Sequence, residues 1–134
     1  MRTVLFIAVF TTFLFSCNNK KEEQSFGKPA ASEAAKTKST DYPLAEKGAA
    51  LFEGVGKCVT CHKPNVKLVG PSLQDIAKKY KEQNASIATF LNGEHEAIVD
   101  PTQFEVMKTN FVVTKAMTDE ERQALEQYIY SQGL

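Results

Sequence analysis

Five consecutive residues, Cys58-Val59-Thr60-Cys61-His62, constrain this chain more than anything else in it. The spacing sets two thiols on one turn, close enough to add across the two vinyl groups of a haem. The histidine that follows directly is then placed to bind the iron from one face. C-x-x-C-H is the attachment signature of c-type haem. Two other chemistries use a C-x-x-C pair. A thioredoxin-like redox pair needs a βαβ setting, which the sequence does not offer. A zinc site needs two more ligands, and only His62 and His95 remain. Attachment of one haem is the expectation, and an extracytoplasmic setting is where such attachment takes place.

The N-terminal residues fit that setting. Residues 1–16 hold Arg2, an apolar run from Val4 to Phe10, and the small Ser16 before Cys17. A positive start, a short apolar region and a small residue at the cut make a secretory signal. The run is too short and too close to the terminus to favour a permanent membrane span. Leu14-Phe15-Ser16-Cys17 resembles a bacterial lipobox, although Phe15 is bulky for its position. That resemblance implies that Cys17 is diacylated, becomes the new first residue and holds the protein on a membrane. The alternative is an ordinary signal peptide with a chance cysteine at its end. Which membrane, inner or outer, is not set by Asn18.

Residues 18–41 are rich in Asn, Lys, Glu, Gln, Ser, Ala and Thr, and Phe26 is their one large apolar side chain. Such a stretch cannot bury enough surface to offset its ordering entropy, so residues 17–41 are expected to be a lipidated cysteine and a mobile tether. A flexible coil of about 24 residues reaches roughly 25–30 Å. Residues 42–134 are then one domain of about 93 residues, whose own core is marginal. A covalently held haem would supply a large apolar centre. Basic and acidic residues balance at 16 each, and loss of the signal removes only Arg2. Nothing in that balance suggests nucleic-acid binding. The scheme uses all three cysteines, Cys17 for lipid and Cys58 and Cys61 for haem.

Periodicity in residues 42–134 is helical throughout. Leu44, Gly48, Leu51/Phe52 and Val55 predict a first helix over 44–54, stopped by Gly54 and Gly56. Ser72 and Asp75 start a second helix with the stripe Leu73, Ile76, Ala77 and Tyr80. Asn84 is expected to cap a third, with Ile87, Phe90 and Leu91 inward, ending at Asn92-Gly93. Thr118-Asp119-Glu120-Glu121 is a capping box opening the last helix, whose stripe is Leu125, Tyr128 and Ile129 and whose end is Gly133. No segment alternates like a strand over any length. The fold class is all-α, without internal repeats.

From Leu44 onward the order of signals resembles a small monohaem class I cytochrome c, over nearly the whole of the folded part. The pieces are Gly48 and Phe52 in the first helix, Cys58 to His62, and Val69-Gly70-Pro71-Ser72-Leu73. A lone late-loop methionine and the amphipathic helix through Leu125 to Tyr130 follow. The resemblance implies three to five helices wrapped around one covalent haem c. It makes Cys58 and Cys61 the thioether cysteines, His62 the proximal ligand and the Pro71 carbonyl the acceptor for its second nitrogen. Pro71 can serve at the same time as a helix N-terminal proline. The first and last helices should cross at Gly48, against Leu125 or Tyr128.

For the sixth ligand the resemblance favours Met107, in the irregular stretch 101–111. Met117 directly precedes the Thr118 cap and reads as a core filler. Many relatives carry proline after this methionine, whereas here it is Lys108. The loop is expected to be less stiff, with Lys108 a candidate to replace the thioether at high pH. His95 lies in a polar stretch and reads as a surface histidine. Lys57, Lys63, Lys67, Lys78, Lys79 and Lys81 are a solvated face by default. The functional alternative is a basic ring that steers an acidic redox partner.

The function implied is a lipid-anchored carrier of single electrons on the periplasmic face of a bacterial membrane, between respiratory redox proteins. It has no enzyme activity of its own, and a monomer suffices. Two competitors stand beside it. If Met107 does not bind, a five-coordinate gas sensor or enzyme follows. A binding module that keeps haem only as a structural core is the other.

Overall fold

The computed structural model describes residues 41–133. The expected signal segment, Cys17 and the expected tether up to residue 40 lie outside the described residues. The four helices expected from periodicity are present as α1 (Ala45–Glu53), α2 (Leu73–Gln83), α3 (Ile87–Leu91) and a last helix over Asp119–Gln132. Between α3 and that last helix stand two single-turn helices, α4 (Phe104–Lys108) and α5 (Phe111–Thr114), so the last is α6. Short 3-10 turns cover Cys58–Thr60 and Pro101–Gln103. No strand occurs among the described residues, and one isolated antiparallel bridge joins His62 to Lys67. The fold is all-α.

Caps set the ends of the longer helices. The Ser72 hydroxyl accepts from the Asp75 amide at 3.1 Å and donates to the Asp75 carboxylate at 2.6 Å. Thr118 and Glu121 form the complete capping box, each side chain bonded to the other's backbone amide. Asn84 does not cap α3. It sits at φ 51° as the left-handed C-cap of α2, and Ser86 caps α3 by accepting from Thr89. Asparagine tolerates the left-handed region, which suits a helix end better than a helix start.

α6 is the hub against which α1, α2 and α3 pack. Its Ala124, Leu125 and Ile129 are buried together with Phe52, Leu73, Ala77, Tyr80, Ile87 and Leu91. Burying each large apolar side chain is worth about 1.5–3 kcal/mol. α1 and α6 cross at Gly48. A Cβ there would lie under 3.0 Å from the Ala124 carbonyl and 2.7 Å from the Tyr128 Cβ. The partners at the crossing are therefore Ala124 and Tyr128, not Leu125, whose side chain points into the core. Val55 is 59% exposed because α1 stops at Glu53 and the chain turns away before reaching it.

The α5–α6 junction is fixed by a buried arginine. Arg122 donates to the carbonyls of Thr114 and Met117 and pairs with Asp119. Thr114, itself buried, donates to the Leu91 carbonyl at 2.7 Å and ties α5 to α3. No buried side-chain nitrogen or oxygen lacks a partner among the described residues.

Candidate cofactor site

The chain leaves α1 through Gly54–Lys57, with Lys57 at φ 50°, and this tight turn delivers Cys58 into a 3-10 turn. The 3-10 turn sets Cys58 and Cys61 one turn apart, both half-buried and not joined in a disulfide. Burial pushes the Cys58 thiol up to about 11, and Cys58 donates to the Gly56 carbonyl at 3.4 Å. A thiol raised in this way is not the activated thiolate of a redox pair. Among the described residues no group of three or more His, Cys, Asp and Glu is arranged to hold a metal.

His62 faces the Pro71 carbonyl, Nδ1 to oxygen 2.7 Å. A carbonyl only accepts, so Nδ1 carries the proton and Nε2 presents its lone pair. Burial lowers the imidazole's pKa, and the Pro71 bond opposes part of that fall. The ring is thus neutral at physiological pH, in one tautomer and one orientation. Gly70 makes room for it. A Cβ at position 70 would sit under 3.0 Å from three atoms of the ring.

Both thiols, His62, Gly70, Pro71 and Met107 line one cleft of about 340 Å³. Its walls are largely apolar, with Phe52, Leu73, Ile76, Ile98, Val99 and Leu125 among them. Met107 is carried on α4, within the stretch expected to be irregular, and is half-buried against the core. The donor set is two thiols, a neutral imidazole held by a carbonyl, and a thioether, all turned to an apolar cleft. It fits a covalently held iron porphyrin. The ring cradle at Gly70 is the specific evidence of fit, because only a residue without a Cβ leaves room there for an imidazole whose Nδ1 the Pro71 carbonyl holds.

Other candidates lie elsewhere. Met117 is 7% exposed and belongs to the core, away from the cleft. His95 is exposed, its Nδ1 toward the Glu96 carbonyl. Lys108 pairs with Glu105 at 3.1 Å and lies over the Phe104 ring. Of the six lysines in sequence near the attachment turn, Lys57 alone lines the cleft. Lys67 is paired with Asp100 and Lys81 lies over the Tyr42 and Tyr130 rings.

Three cleft residues had escaped the sequence. Gly70 was visible only as the neighbour of Pro71. Asp100 and Asn110 carry no motif, since their partners are 33 and 54 residues away. Phe90, Phe104 and Phe111 form a triangle of rings with centroids 5.4–6.2 Å apart, which fixes both ends of the Met107 segment to α3. Among the described residues no helix is long and apolar enough to cross a membrane.

Residues 45–133 match the family Cytochrome c. Cytochrome c-551 of Pseudomonas aeruginosa is 32% identical over 91 residues, 66% of this chain and 79% of that protein. Cytochrome c-552 of Nitrosomonas europaea is 46% identical over 37 residues, 28% of this chain and 35% of that protein. Cytochrome c2 of Rubrivivax gelatinosus is 62% identical over 26 residues, 19% of this chain and 31% of that protein. The last two alignments thus span about a third of the relatives they match. With its folded part matched almost throughout, the chain belongs to the cytochrome c family, whose cofactor is a covalently bound haem c with its iron.

Proposed function

We propose that this protein is a membrane-tethered, extracytoplasmic carrier of single electrons. Cys58 and Cys61 would hold the haem through thioethers, and His62 and Met107 would be its axial ligands. The observation that carries this reading is that His62 and Met107 line the same apolar cleft as the two thiols. The bound haem supplies a one-electron couple, and a thioether opposite an imidazole moves it to higher potential.

The chain's own residues do the rest. The Pro71 carbonyl and the Gly70 gap orient the imidazole, and the neutral ring keeps Nε2 free to bind. The apolar walls exclude water, which favours the less charged, reduced state. Cys17 is the proposed lipid site, with residues 18–41 as a spacer between anchor and domain. Redox proteins on the same membrane are the proposed partners, and the periplasmic face the location. Lys108 is a weak candidate for an alkaline ligand, since its ammonium is engaged outward by Glu105.

Met107→Ala tests the ligand assignment. The oxidised variant should lose the iron–sulfur absorption band, and its potential should fall by a sizeable part of the roughly 0.8 V that axial ligands span. The reduced variant should take up carbon monoxide rapidly, while the parent protein does not. A parent that binds carbon monoxide as fast as the variant would establish the five-coordinate reading instead.

A further inference from the structure

Two hydrogen-bonded ties cross the mouth of the cleft, and both end beside the attachment motif. At the start of the segment that carries Met107, the Asp100 carboxylate accepts from Lys67 at 2.7 Å and from the Thr102 hydroxyl at 2.6 Å. Lys67 is itself the residue bridged to His62 through the backbone. At the end of the segment, Asn110 Nδ2 donates to the Gly56 carbonyl at 3.1 Å. The same carbonyl accepts from the Cys58 thiol. One tie therefore meets the chain just before Cys58, and the other just after His62.

The segment between the ties has little else across the cleft to hold it. α4 and α5 are five and four residues long. Helices of that length are not stable by themselves. Lys108 follows Met107, so no proline ring stiffens the turn. The phenylalanine triangle fixes the segment to α3, on its own side of the cleft. Among the described residues, the hydrogen bonds that join it to the side carrying the cysteines and His62 are these two ties.

We propose that Asn110 and the Lys67–Asp100 pair are positioning residues that clamp the Met107 segment across the cleft at both ends. They hold the thioether in place of the stiffness that a proline would give. The two ties differ in strength. Asn110 is half-buried, whereas Lys67 is 60% exposed and Asp100 only 15%. An ion pair with one exposed partner contributes little and is screened by salt. The Asn110 tie is the stronger.

The effect on the iron rests on Met107 being the sixth ligand, so the test needs a readout that does not. The first readout, on the haem-loaded full chain, is hydrogen exchange of the Thr109 and Asn110 amides, which donate to Val106 and Met107. The second is the affinity of the oxidised protein for imidazole. Asn110→Asp keeps the shape and removes the donor. It should speed exchange, corrected for intrinsic rates, and raise imidazole affinity, each about tenfold. Asp100→Asn should change both about twofold, and the change should vanish at high salt.

Thr118→Ala, which removes the N-cap of α6 and touches neither tie, is the control for a general loss of stability. At low salt, either tie variant exchanging at the parent's rate overturns the clamp, and so does equal acceleration in Thr118→Ala. Faster exchange with imidazole affinity unchanged, in Asn110→Asp and Met107→Ala alike, supports the clamp and overturns the ligand assignment.

Discussion

A single methyl group at position 70 would fill the space in which the His62 ring sits. The imidazole is held by one bond, Nδ1–H to the Pro71 carbonyl, and by having no side chain behind it. Gly70→Ala therefore has two outcomes, a tilted ring or a displaced backbone. Overpacking of this kind costs about 1–3 kcal/mol. The variant should unfold at lower denaturant concentration with an unchanged slope, and its reduction potential should shift as the ring loses its acceptor. Gly48→Ala, at the α1–α6 crossing, should destabilise by a similar amount yet leave the potential where it was. Gly48 and Gly70 exclude side chains for the same steric reason, so a shared shift in potential would show that ring placement is not what Gly70 protects.

At the scale of the helix, α6 is where local signals and tertiary packing agree most closely. Its capping box starts it, its stripe buries Leu125 and Ile129, and Gly133 ends it. Thr118→Ala should cost about 0.5–2 kcal/mol, measured by thermal or denaturant unfolding. Glu121 adds a pH dependence. Bonds from the Thr118 amide, and then from its hydroxyl, hold the Glu121 carboxyl below its usual range. A depressed folded pKa means stability that is full above the ordinary carboxylate range and is lost as pH falls through the folded value. The advantage of the parent over Glu121→Ala in melting temperature should therefore be constant at neutral pH and shrink in acid. A gap that stays flat down to pH 2 would assign the effect to packing.

The same element shows why part of the fold was legible and part was not. α1, α2 and α6 run for nine to fourteen residues, long enough for a stripe and a cap to be read together. α4 and α5 are each about one turn, too short for any periodicity, and are held through their own Phe104 and Phe111 against Phe90 of α3. Asn84 misled because one residue type serves both helix ends. In the site, contiguous residues were readable: Cys58 to His62, and Pro71 nine residues beyond His62. The cross-cleft partners of Asn110 and Asp100 were not, because a pairing of 33 or 54 residues leaves no local trace.

For the molecule as a whole, the folded domain and the proposed anchor perform separable tasks. The cleft, the cradle and the ties lie within residues 41–133. Cys17 lies outside the described residues. Two acyl chains on that cysteine would give stable attachment, because one chain alone binds membranes only marginally. Such attachment would place the domain and the proposed membrane-bound partners in a thin layer, where a short spacer corresponds to an effective concentration in the millimolar range. Cys17→Ser should therefore separate location from chemistry. The variant should leave the membrane fraction for the soluble fraction, with the visible spectrum and potential of the parent. Its turnover with isolated membranes should become dependent on its bulk concentration, whereas the anchored parent's is not. If Cys17→Ser remained with the membranes, the lipid on Cys17 would not be what holds the protein there.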